Sequence, residues 1–166
     1  VNAYDNGSGI ELIQVSMDSG SSKDMDVSGS VLFNDIRDGR HQITVEVYDT
    51  AGNVNILTRD IVIDTAEPYV VNYLPMEDDV QVDSNIWITF SETVLPDSVS
   101  IDVAGVEGYL TVYGSQASFI PFSELDHATD YQVSVQAMDI AGNPLRPHSW
   151  TFTTTDFGSL TGKVVD

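Results

Sequence analysis

Apolar residues return at every second position through most of the chain, and no window of about 11 residues carries the 3.6-residue stripe of an amphipathic helix. Successive side chains on a strand point to opposite faces, so a period of two marks a strand buried on one side. In the run 41–48, Ile43, Val45 and Val47 share one face while Gln42, Thr44 and Glu46 take the other. The same logic groups Ile13 with Val15 and Met17, Ile86 with Ile88 and Phe90, Tyr131 with Val133 and Val135, and Trp150 with Phe152. Gly, Asn, Asp and Pro clusters separate these runs at intervals of about 8–12 residues, the punctuation of antiparallel sandwiches and barrels. The expected fold is all-β, built as two tandem antiparallel β-sandwiches.

An internal repeat sets the domain count. Asp49-Thr50-Ala51-Gly52-Asn53 recurs 90 residues later as Asp139-Ile140-Ala141-Gly142-Asn143, each copy directly after an alternating strand. That interval is the size of one small sandwich module. Between the copies, Pro68 disfavours helix at the residue before it and suits a short extended joint. The expected boundaries are a first module over 1–66, a second over 67–155, and the start of a further β-module over 156–166. Each sandwich is acidic: 4 basic residues against 11 acidic ones leave −7 on the first, and 1 against 13 leaves −12 on the second. The whole chain carries −20. This disfavours nucleic acid and anionic membranes as partners and calls for screening or binding by cations. No apolar run approaches the roughly 20 residues of a spanning helix, so direct membrane insertion is not expected.

Leu125 precedes Tyr131 by six residues, and Tyr131 opens a strand. This spacing suits a tyrosine corner, in which the phenol bonds to backbone a few residues upstream and fixes the arch between two sheets. In the first module Ile36, Asp38-Gly39 and His41 hold the corresponding place, which makes His41 the expected polar anchor there.

The residues of 68–154 resemble the bacterial Ig-like domain of S-layer and other prokaryotic surface proteins. The resemblance rests on Pro68, Pro75, Ile86-Trp87-Ile88-Thr89-Phe90-Ser91-Glu92, Leu125, Tyr131, Asp139–Asn143, Leu145 and Trp150-Thr151-Phe152-Thr153-Thr154. Residues 1–65 resemble a second bacterial Ig-like type, common in tandem arrays, through Asp5-Asn6-Gly7-Ser8-Gly9-Ile10, the run 38–45 and Asp49–Asn53. The strands that usually precede the Asp5 loop are reduced here to 1–4. The last ten residues resemble the start of a carboxypeptidase-regulatory-like module. The resemblance implies an extracellular or cell-surface parent protein in which the chain spaces, presents or adheres. Its implied partners are neighbouring domains and a cell-surface protein or glycan.

For chemistry the chain offers little. His41, His127 and His148 lack zinc-ligand spacing, cysteine is absent, and there is no nucleophile elbow, dinucleotide fingerprint or P-loop. The chain reads as non-enzymatic. Its most informative polar feature is the Asp-x-Ala-Gly-Asn turn, whose Asp is expected to cap backbone N–H groups while Gly takes positive φ. The same oxygens suit calcium, a hard cation. The candidate Ca2+ ligands are Asp5, Asp49 and Asn53 in the first module, Asp64 and Glu67 at the joint, and Glu92, Asp139 and Asn143 in the second. No other cofactor is expected. Trp87, Tyr109 and Tyr113 fall on strands, where packing into the core or between sheets is the expected role. Pointing outward, they would instead form a sugar-stacking platform, and the alternative function would be a carbohydrate-binding accessory module of an extracellular glycoside-degrading enzyme.

Overall fold

The structure, a computed structural model, describes residues 7, 9–25, 29–76 and 78–156. The expected start of a third module, beyond Asp156, lies outside them, as does Asp5. The chain divides into two compact units, 1–65 and 66–166. Strands are antiparallel throughout the named sheets, and the described residues hold no α-helix.

The first unit contributes β1 (Ile10–Met17), β2 (Lys23–Asp24), β3 (Gly39–Asp49) and β4 (Val54–Ile63), joined in one sheet of order β2-β1-β3-β4. The alternation sets the register. Ile13 faces Val47, Val15 faces Val45 and Met17 faces Ile43, so the apolar side chains of β1 and β3 form cross-strand pairs on one face. Val15 and Val45 are the buried apolar residues of this unit, and no second sheet packs on that face among the described residues.

The second unit contributes β5 (Val70–Leu74), β6 (Ile86–Phe90), β7 (Ser100–Val103), β8 (Gly108–Tyr113), β9 (Gln116–Pro121), β10 (Asp130–Gln136) and β11 (His148–Thr153). One sheet runs β5-β6-β9-β8 and the other β11-β10-β7. In strand-letter terms this is ABED against GFC, the seven-stranded immunoglobulin arrangement. Ile86, Ile88 and Phe90 of one sheet and Val133, Val135, Trp150 and Phe152 of the other fill a single core. Trp150 is anchored at both ends: its ring packs 4.4 Å from that of Tyr73, and its Nε1–H donates to the Pro75 carbonyl at 2.9 Å. A buried indole that keeps its N–H bonded carries no desolvation penalty for that donor. Tyr131 makes the corner: the Asp126 backbone N–H donates to its phenol oxygen at 2.8 Å, and its ring stacks on Phe152 at 5.6 Å.

Candidate functional site

The repeated turn is built twice with the same hydrogen bonds. In the second unit Asp139 Oδ1 accepts from the N–H groups of Ala141 and Asn143, each at 2.8 Å, and Oδ2 accepts from the Asn143 side-chain amide at 2.8 Å. In the first unit Asp49 Oδ1 accepts from Ala51 at 2.9 Å and Asn53 at 2.8 Å, and Oδ2 accepts from the Asn53 side chain at 2.7 Å. Backbone bonds close both loops, from Asp49 N–H to Asn53 O at 3.1 Å and from Asp139 N–H to Asn143 O at 3.0 Å. Gly52 and Gly142 sit at φ 85° and 92°, where a side chain would be strained. The surroundings differ. Asp139 is 0% exposed, whereas Asp49 is half-buried. Burial pushes the Asp139 pKa up, but the bonds from Asn143, Ala141 and Gly142 together outweigh it and hold the carboxyl below its ordinary value.

The other expected ligands are dispersed by unit. An isolated bridge from Val94 to Asp139 brings Glu92 alongside, so that carboxylate oxygens of Glu92 and Asp139 lie within 4.8 Å of each other. Glu67 is exposed and its carboxylate lies 3.5 Å from Arg146 Nε. Asp64 directly follows β4 in the first unit and is half-buried.

A titratable pair that the sequence did not single out lies in the first unit. His41 Nδ1 meets Asp18 Oδ2 at 2.6 Å, and its Nε2 meets the Arg37 carbonyl at 2.7 Å. Both partners are acceptors, so the ring satisfies both only as an imidazolium. The Asp18 hydrogen bond, helped by the Arg37 carbonyl, raises the His41 pKa; the same bond from His41, with one from the Gln42 N–H, lowers that of Asp18. His41 is thus the polar anchor of its unit, with Asp18 as a partner 23 residues away.

The aromatic side chains correct an expectation. Trp87 is 51% exposed, Tyr109 63% and Tyr113 85%, so none of them packs in the core. Their strands bury Ile86, Ile88 and Phe90 on the inner face, with Leu110 and Val112 packed against that core, and alternation turns the rings outward. Register aligns the outer face in rows: Leu74, Trp87, Ser118 and Thr111 in one, Asn72, Thr89, Gln116 and Tyr113 in the next, and Ile120 beside Tyr109 on the other side.

The family description "Bacterial Ig-like domain" matches residues 64–154, and a second description of the same name matches residues 2–65. The chain belongs to the bacterial Ig-like domain family. A search of curated proteins finds no match. Among solved structures, this bacterial Ig-like chain is similar to CopC from Methylosinus trichosporium OB3b, with 18% identity and a TM-score of 0.46 over 57% of this chain and 99% of that one. It is also similar to fibronectin(III)-like modules of Clostridium thermocellum CbhA, with 11% identity and a TM-score of 0.44 over 99% and 87%. The N-terminal part of the bacterial S-layer protein SbsC shares 19% identity at a TM-score of 0.39, over 54% of this chain and 24% of that one.

Proposed function

We propose that the chain forms non-catalytic spacer or adhesive modules of a secreted or cell-surface multidomain protein, working beside neighbouring domains of the same parent. The observation that carries this reading is the pair of consecutive bacterial Ig-like matches running from residue 2 to residue 154. In the second unit the Asp139 turn, the Tyr131 corner and Thr154 spend their polar groups on nearby backbone, which suits a part that holds geometry. The test is replacement. A parent protein in which 1–155 is exchanged for an unrelated Ig-like pair of equal length should keep its surface display and reach, and deletion of the same residues should shorten the reach. Loss of function on exchange would contradict spacing as the role.

Within this reading Ca2+ is the proposed ligand of the Glu92 and Asp139 carboxylates of the second unit. Supporting it is the closeness of the Glu92 and Asp139 carboxylates, whose like charges a divalent cation would relieve. Calcium takes six to eight oxygens, so Glu67 and water would have to complete the shell. Glu67 would have to leave Arg146 to do so. A tight site, at a calcium concentration 100 times its dissociation constant, would stabilise the chain by about 2.7 kcal/mol. Thermal unfolding in calcium and in chelator at matched ionic strength would then differ, and coincident curves would exclude such a site.

A further inference from the structure

The acidic second module has one face without charge. Every outward position assigned by register on the four strands of the β5-β6-β9-β8 sheet is aromatic, aliphatic, hydroxyl or amide, although the module as a whole carries −12. The module's fixed charge lies outside the strands and, on the other sheet, at the outward Asp102 and Asp130, and it is absent from this face, where a merely solvated sheet would tolerate it. Trp87, Ser118 and Thr111 lie in one row, with Tyr109 and Tyr113 two residues to either side of Thr111 along β8. Sheet spacings put each tyrosine about 12 Å from Trp87 and the two tyrosines about 14 Å apart. Ser118, on the strand between, is only 8% exposed, so it forms the floor of a shallow trough walled by larger side chains.

We propose that this face binds a neutral, extended polysaccharide, with Trp87, Tyr109 and Tyr113 stacking on sugar rings and Thr89, Thr111 and Gln116 hydrogen-bonding hydroxyl groups between them. The C–H face of a pyranose is weakly positive and meets the negative face of an aromatic ring, while its hydroxyls need uncharged donors and acceptors. A protein partner would favour aromatic anchors clustered at the centre of a desolvated patch; here they stand apart with polar residues between, matching a polymer that repeats ring and hydroxyl. The charge of −12 around the face selects against anionic polymers, which commits the ligand to the neutral class.

The experiment is affinity electrophoresis of the full chain in native gels containing a soluble β-glucan, a mannan, a xylan or, as the anionic comparison, polygalacturonate. At least one neutral polysaccharide should retard the chain and shift its tryptophan emission to the blue, and polygalacturonate should do neither. Trp87→Ala should weaken retardation about tenfold or more, and Tyr109→Ala and Tyr113→Ala by less. All three variants should keep the parent's melting curve, because the rings lie outside the core. Retardation by none of the neutral polymers would overturn the proposal. So would retardation that survives both Trp87→Ala and Tyr109→Ala, or equal retardation by polygalacturonate. Self-association of the chain that is lost in Trp87→Ala, without retardation, would assign the face to a protein contact instead.

Discussion

The same five-residue turn ends a strand in each unit, with the same three side-chain hydrogen bonds, yet one copy sits in a closed sandwich and the other on a single described sheet. The local chemistry is therefore independent of what covers it. What changes is the energetic weight of each bond. The acceptor of the second unit, Asp139, is buried and makes its bonds away from water, while Asp49 in the first is half-buried and its bonds compete with water. Apolar packing follows the same division: the second unit closes one core between two sheets, whereas among the described apolar residues of the first only Val15 and Val45 are buried.

The largest test of this contrast is Trp150→Ala, which leaves a void among Tyr73, His148 and the inner sheet and should cost about 3–5 kcal/mol. Chemical denaturation should show the loss in the second unit's transition alone; a shift of both transitions would break the division. Removing the capping carboxylate comes next. Asp139→Ala removes a buried carboxylate together with the bonds it accepts from Ala141 and Asn143 and should cost about 1–3 kcal/mol, whereas Asp49→Ala, at a half-buried position, should fall at or below the bottom of that range. Equal losses in paired melts would mean that burial does not set the weight of the turn. Tyr131→Phe keeps the ring stack and deletes only the acceptor for Asp126, so about 1 kcal/mol is expected.

The smallest effect concerns pH and the first unit. The raised His41 pKa contributes stability that is complete below the ordinary 6.5 and is lost as pH rises through the raised value. The lowered Asp18 pKa contributes stability present above 3.8 and lost as pH falls through the depressed value. Between 3.8 and 6.5 both contributions are intact. The melting difference between the parent chain and His41→Gln should therefore be greatest in that window and fade toward alkaline pH. A difference that does not change with pH would show that the ring acts by packing alone.

The sequence made the all-β class, the face assignments of β1, β3, β6, β10 and β11, the capping turns and the tyrosine corner legible, because each depends on residues close in sequence. The outward rings were misread, although Thr89 beside Trp87 and Thr111 between the tyrosines already marked a polar face at the same period. Aromatic size suggested burial, but alternation decides which side a ring takes. The Asp18–His41 pair was hidden because it joins residues across a long connection whose path no local pattern specifies. Alternation likewise reports that a strand has an apolar face and not what lies against it, so the single sheet among the described residues of the first unit could not be read from the same signal that marked the sandwich of the second.

Native-state hydrogen exchange on the full chain tests the contrast between the units most directly. Val133 lies in β10 between β7 and β11, and Val45 lies in β3 between β1 and β4, so both belong to strands paired on two sides. With strand pairing matched, the remaining difference is the second sheet over Val133. The Val133 amide should exchange only through global opening of its unit, and the Val45 amide about a hundredfold faster or more. Equal protection of the two, or slower exchange at Val45, would contradict the account.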